Sequence, residues 1–356
     1  MGRMLDRNKM RDRNKTRDLN VASSRRRFVK GATVLGVRAL AAGIAAPSLL
    51  RINTAHAAFP DRPVKIVVAN SPGGPSDIVA RLLAAALQQA AGGSFVVENK
   101  GGAGGNIGMG SVARADPDGY TLLITTSVYV VNPGLYNSLP YDPFKDFVAI
   151  AELATTPNVF AVKPQLGVKT MTELVARAKA DPDTFNVATP PIGTTPYLAV
   201  ELLKVREGLA GMPILVFAGG GEALQALLGN TVQLCVGTLA PAHPHLKAGA
   251  IIALATTGAT RWPDLPEVPT MAEAGFKDFL LETYVALMAP ARTPPEFVAR
   301  LEQEALAVLH RPDIRDRLLQ SGFAVEAKPG KVHAGRIARE VPMFRELIRK
   351  AGIKKL

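Results

Sequence analysis

The chain has 356 residues, 47% of them hydrophobic, which is enough for two domains with cores of their own. Its formal net charge of +12 would suit a nucleic-acid partner, but residues 1–57 hold 13 Lys/Arg against 3 Asp/Glu, leaving 29 against 27 elsewhere. The basic excess belongs to a leader, and nucleic acid is excluded as a partner.

The leader contains Ser24-Arg25-Arg26-Arg27-Phe28-Val29-Lys30, a twin-arginine export pattern. A mildly apolar stretch follows from Gly31 to Leu50, and Ala55-His56-Ala57 has the small-x-small form of a cleavage site. These predict twin-arginine export to the periplasm in a folded state, with cleavage after Ala57 and a mature chain from Ala58. Arg38 and Pro47 make the stretch a poor spanning helix, and no later run reaches the ~18 apolar residues a span needs. No cysteine follows the stretch to carry a lipid anchor. Translation could begin at Met1, Met4 or Met10. The one cysteine, Cys235, lies in an apolar strand pattern, which leaves no internal disulfide and reads as packing.

From Phe59 the pattern is strand, glycine turn, helix, repeated. Val64 to Val68 is short and β-branched, a buried strand. It enters Asn70-Ser71-Pro72-Gly73-Gly74-Pro75-Ser76-Asp77, after which Ile78, Val79, Leu82, Leu83, Ala86 and Leu87 trace one helix face. A helix start has unsatisfied N–H donors and partial positive charge, so a small anion could sit on this turn without a basic side chain. The alternative is a plain strand–helix turn capped by Ser76 or Asp77. Gly74 is expected to supply both open approach and backbone freedom there, and Arg81 only packing or a surface ion pair.

A second strand, Ser94 to Glu98, leads into the glycine run 101–108, and a helix is expected from Met109 to Ala115. The run fails the dinucleotide pattern: the third glycine of G-x-G-x-x-G would fall at Ile107, and no phosphate loop occurs, because Gly330-Lys331 precedes Val332. A third strand, Tyr120 to Ile124, ends in Thr125-Thr126-Ser127. Alternating units predict an α/β fold with a mostly parallel sheet and ligands at the carboxyl ends of its strands.

Asn158 to Val162 reads as a strand between prolines, followed by a helix from Met171 to Ala180. Phe185 to Ala188 then enters Thr189-Pro190-Pro191-Ile192-Gly193-Thr194-Thr195-Pro196 and a helix from Tyr197 to Lys204. This repeats the design of 70–77, so two halves would face a shared cleft. Ile214 to Phe217 ends in Ala218-Gly219-Gly220-Gly221-Glu222, Val232 to Val236 ends in Gly237-Thr238, and Ile251 to Ala255 ends in Thr256-Thr257. The chain returns through Tyr284 to Met288. Helices close it at Pro295 to Leu309, Pro312 to Ser321 and Ala334 to Ala351.

No catalytic constellation is legible. His243 and His245 flank Pro244, unlike a helical zinc pair, and His310 and His333 read as solvated or structural. No G-x-S-x-G elbow occurs. The reading is a binder with no enzyme activity, cofactor or metal. The candidate ligand-binding residues are Ser71, Gly73, Gly74, Ser76, Asp77, Thr126, Ser127, Thr189, Gly193, Thr194, Thr195, Gly219, Gly220 and Gly237.

From Phe59 onward the chain resembles the Bug family, the extracytoplasmic substrate-binding receptors of tripartite tricarboxylate transporters. The matching stretches run in order: Phe59 to Val64, Pro72 to Arg81, Val97 to Lys100, Gly102 to Gly108, Pro117 to Leu122, Leu139 to Pro143 and Leu265 to Gly275. The resemblance implies a periplasmic-binding-protein type II-like fold, two doubly wound α/β domains closing like a Venus flytrap on one small carboxylate. The domains would be 58–158 plus 288–356 and 159–287, joined by hinge strands near Asn158–Val162 and Tyr284–Met288. It further implies that loops matching Ser71–Asp77 and Thr189–Thr195 hold the carboxylate through backbone amides and water. Partners would be membrane permease subunits or a sensor protein, with the receptor a monomer. The chain departs from the family pattern at Asn70, Tyr197, Ala218, Val236 and Gly237, where several polar ligand-facing residues are replaced. A ligand less hydrophilic than a dicarboxylic amino acid, such as an aromatic monocarboxylate, is therefore expected. The rival class is an exported α/β enzyme.

Overall fold

The first strand, β1 (Val64–Val68), is buried at every position except Lys65. Val64, Ile66 and Val68 pack on one face of the sheet against Val79, Leu83 and Leu87, while Val67 joins a second core on the other. A strand covered on both faces loses polar alternation, which is why this one reads as a continuous apolar run. Residues 59–356, apart from Asp183 and Asp278, are described by the computed structural model. The twin-arginine motif and the cleavage site lie outside the described residues.

The order of the first half is β1, α1 (Pro75–Ala91), β2 (Phe95–Asn99), α2 (Asn106–Ala113), β3 (Thr121–Thr126), α3 (Val128–Leu135) and β4 (Phe147–Val162). The second half continues with α4 (Met171–Ala180), β5 (Val187–Thr189), α5 (Thr195–Glu207), β6 (Ile214–Val216), α6 (Gly220–Leu228), β7 (Leu234–Thr238), α7 (Leu239–Lys247) and β8 (Ile252–Thr256). The chain then returns through β9 (Glu282–Pro290), α8 (Pro295–Leu309), α9 (Pro312–Gln320), β10 (Ala324–Pro329) and α10 (Gly330–Lys350).

The strands form one sheet in the order β2-β1-β3-β9-β4-β7-β5-β6, with β8 and β10 also on β4. Its flanks are parallel, β2-β1-β3 and β7-β5-β6. Its centre is antiparallel, because β9 opposes both β3 and β4, and β4 opposes β7. The mostly parallel sheet expected from the sequence is corrected to a mixed one.

β4 runs through both halves. Phe147–Pro157 pair with β9, and Asn158–Val162 pair with β7. Pro157 has no N–H to give to a ladder and falls where the strand changes partners, a position a proline tolerates. The crossing is tied by Asn158, which is fully buried. Its N–H donates to Thr257 Oγ1 at 2.9 Å, its Nδ2 donates to the Leu281 carbonyl at 2.7 Å, and its Oδ1 accepts from the Thr195 hydroxyl at 3.2 Å. The return strand pairs in the first half from Glu282 onward, ahead of the Tyr284 expected from the sequence.

The second half repeats the two-faced packing. Phe160, Val162, Val187, Leu234 and Val236 pack with residues of α4 and α5, and Val159, Ala161, Ala188 and Cys235 with residues of α6. Burial pushes the Cys235 thiol up to about 12, so it is a neutral packing group.

Candidate ligand-binding cavity

Six strands deliver their carboxyl ends to one cavity of about 1040 Å³. Residues 69–72, 74 and 75 after β1, 101–105 after β2, 126–128 at the end of β3, 190, 191 and 194–196 after β5, 217–222 after β6 and Thr238 at the end of β7 line it. The residues that precede the helices there also line it: Gly74 for α1, Gly105 for α2, Ser127 for α3, Thr194 for α5, Gly219 for α6 and Thr238 for α7. None of these six caps its helix through a side chain. Away from the cavity, Thr170 caps α4 by accepting the Glu173 N–H, and Glu302 accepts the Gly330 N–H at the start of α10. First-turn donors and positive helix ends therefore converge on the cavity. Its lining contains no Lys, Arg or His, and Glu222 is its only charged side chain.

The two principal turns are built differently. In the first, Gly73 has φ +75° and its N–H donates to Asp77 Oδ2 at 2.9 Å. Arg81 Nε donates to the same oxygen at 3.1 Å, and Asn99 Nδ2 donates to Asp77 Oδ1 at 3.0 Å. Ser76 Oγ donates to Asn70 Oδ1 at 2.9 Å. Burial alone would raise the Asp77 pKa, but Arg81, the Gly73 N–H and Asn99 together hold it below the usual carboxylate range. Ser76 and Asp77 thus stand behind the turn and stabilise its shape. Gly73 also lies off the cavity wall. Gly74 is extended at φ −80°, so the left-handed position is Gly73, which corrects the backbone role expected of Gly74, while Gly74 itself lines the cavity.

The second turn is stiffened by Pro190, Pro191 and Pro196. Thr194 N–H and Oγ1 both donate to the Pro191 carbonyl, at 3.1 and 2.8 Å. Gly193 has φ +92°, and a Cβ there would lie 2.8 Å from Leu135 Cδ2 and 3.1 Å from Asn132 Oδ1. It is thus wedged against α3 of the first half, off the cavity wall. Across the cavity Ser71 Oγ donates to the Ala218 carbonyl at 3.4 Å, a contact between the two halves.

Of the residues singled out from the sequence, Ser71, Gly74, Thr126, Ser127, Thr194, Thr195, Gly219 and Gly220 line the cavity together. Gly73, Ser76, Asp77, Thr189, Gly193 and Gly237 do not. Thr189 is fully buried at the end of β5, and Gly237 lies one residue behind Thr238 inside β7. The Ser127 hydroxyl donates to the Glu282 carbonyl and accepts the Tyr284 N–H, so it anchors β9. The wall formed by 101–105 was not among the candidates, although it follows β2 as the first turn follows β1. Pro190, Phe217 and Thr283 were missed as well.

Among the described residues no group of three or more His, Cys, Asp or Glu could hold a metal ion. His243 Nε2 sits 3.0 Å from Asp264 Oδ2, a tie between α7 and the segment before β9. No helix among the described residues is long and apolar enough to cross a membrane.

Residues 79–353 match the model of the tripartite tricarboxylate transporter family receptor. The chain belongs to that family. BugT of Bordetella pertussis is 32% identical to this receptor over 324 residues, covering 90% of the chain and 97% of BugT. The periplasmic binding protein BugD superposes with a TM-score of 0.79 at 33% identity, covering 84% of the receptor and 100% of BugD. An R. palustris protein solved with adipate superposes at 0.80 with 32% identity, covering 84% of the receptor and 100% of that chain. The receptor thus has the α/β fold of periplasmic binding proteins, and its family is one of solute-binding receptors.

Proposed function

We propose that this receptor captures a small organic carboxylate in the periplasm and delivers it to a tripartite tricarboxylate-type membrane permease. The observation that carries the proposal is the convergence of six helix starts, uncapped by side chains, on one cavity without a basic side chain. Such a site holds a carboxylate through backbone donors and hydroxyls, and charge-assisted bonds of this kind contribute roughly 1.5–3 kcal/mol each. The adipate in the related structure is consistent with it. The receptor acts as a monomer and reaches the periplasm by the twin-arginine route through its Ser24–Lys30 motif, with cleavage after Ala57.

The sheet supports a closing motion. The two halves act as lobes, parting at Pro157–Asn158 and ahead of Glu282, and a ligand touching both favours the closed form by its differential affinity. The test is a carboxylate library screened for a rise in melting temperature, with mass balance on every compound. Saturable stabilisation without turnover supports the receptor; catalytic consumption of a substrate refutes it. Scattering with a saturating ligand should show a smaller radius of gyration, and an unchanged curve refutes closure.

A further inference from the structure

The cavity changes character with depth. At its mouth Ala218, Gly221, Glu222 and Gln225 are exposed, and Ser71 reaches across to the Ala218 carbonyl. At its inner end the lining residues Thr126, Ser127, Thr195, Thr238 and Thr283 are each no more than 5% exposed. These hydroxyls gather where the strands cross between the halves. Asn158 stands opposite Thr238 in the ladder and bonds both Thr195 and Thr283. Ser127 brackets Thr283 through the Glu282 carbonyl and the Tyr284 N–H. Ser127 precedes α3 in the first half and Thr195 begins α5 in the second, so two positive helix starts, one from each half, flank Thr283.

Thr195 and Thr283 share their protons with Asn158. Its Oδ1 lies 3.2 Å from Thr195 Oγ1 and 3.4 Å from Thr283 Oγ1, and the two hydroxyls touch each other. Two protons thus serve three contacts. Were both given to Asn158, the hydroxyl oxygens would meet lone pair to lone pair, so one hydroxyl donates to the other. Thr195 is nearer to the amide and donates to it, which places the Thr283 proton on Thr195. That proton can be redirected without orphaning Asn158. A ligand oxygen beside Thr283 takes it, and an anionic oxygen takes it most strongly, because charge-assisted hydrogen bonds are the strong ones.

Resting on the carboxylate-receptor reading above, we infer that the ligand's carboxylate is seated at the inner end of the cavity, between the starts of α3 and α5, where it accepts the Thr283 proton. The rest of the ligand points toward the mouth, where Glu222 is exposed to solvent. Thr283 is then a ligand-binding residue on the return strand, and Thr195 and Asn158 position it. The contact is made at the crossing itself, where the two halves meet.

The test is calorimetric titration of hexanoate, benzoate and adipate, each beside its fully amidated counterpart, into the wild-type protein, Thr283→Val and Thr283→Ser. Valine removes the hydroxyl while Thr195 still satisfies Asn158. In the wild type the tightest-binding acid should exceed its amide by about tenfold or more. In Thr283→Val the acid should weaken by about tenfold and the amide by about threefold or less, so the preference for the charged form shrinks. Serine restores the hydroxyl and should bring the preference back. If Thr283→Val weakens acid and amide by the same factor, or weakens neither, the side chain serves only packing; the seat is overturned and the carboxylate receptor stands. If none of the three acids binds the wild type, the carboxylate reading falls and the seat with it.

Discussion

The turns after β1 and β5 occupy equivalent places in the two halves, yet they are held by different physics. The first is held by a polar cage in which Asp77 gathers the Gly73 N–H, Arg81 and Asn99. The second is held by prolines and by the wedge of Gly193 against Leu135 and Asn132. The same helix-start geometry can thus be specified by charge or by shape. The charged version is exposed to titration and the shaped version to steric change.

The sharpest way to break this contrast is at the glycines. Gly193→Val forces a β-branched side chain into a left-handed position and into buried neighbours, and should cost about 2–4 kcal/mol with loss of ligand binding. Gly73→Ala, at φ +75° with open space around it, should cost only the conformational strain of about 1–2 kcal/mol. Calorimetric melting of both variants compares them, and equal losses would show that packing does not distinguish the turns.

Next in size is the cage. Asp77→Ala removes the acceptor of three donors and should destabilise by about 2–3 kcal/mol. The same change in the second turn, Thr194→Val, should cost about 1 kcal/mol. Hydrogen exchange should show faster opening near Gly73 in the first variant and little change near Gly193.

Acid should separate the turns too. The folded pKa of Asp77 lies below its unfolded value, so its contribution is complete above about pH 4 and is lost as pH falls through the folded pKa. Glu152 behaves alike: burial raises its pKa, but His333, Arg336 and Lys328 outweigh that and lower it. Stability should therefore fall in acid, and Asp77→Asn should flatten only the share arising at the first turn, leaving that of Glu152. A pH series of unfolding midpoints measures this, and an unchanged acid limb would remove Asp77 from the account.

The smallest effect belongs to Arg81→Ala, about 0.5–1 kcal/mol, since its side chain is 57% exposed. Gly74→Val acts without backbone strain, so its melting temperature should hold while ligand affinity drops.

Both turns were legible in the sequence because a short strand run, a Pro/Gly/hydroxyl turn and a helix follow each other at 64–87 and again at 185–204. Several elements were not. Helix α3 carries Pro133 and Gly134 and is buried nearly all round, so it shows no amphipathic pattern. Strand β10 is half-exposed and ends in Pro329, which hides it among the terminal helices. β4 continues through Pro157, where a strand-breaking residue is read as a boundary. Local pattern also cannot say which way a side chain faces. Asp77 and Ser76 look like anion ligands in the sequence, and only the positions of Asn70 and Asn99 turn them inward.

The continuity of β4 also governs how the molecule comes apart. A single 16-residue strand supplies the central ladder of both halves, so neither half has a complete sheet of its own. Loss of either half strips hydrogen-bond partners from the strand that the other depends on. Despite the chain's size, the receptor should melt in one cooperative transition, with calorimetric and van't Hoff enthalpies in agreement. Under the proposed closure its halves would move as separate bodies and still share one thermodynamic fate.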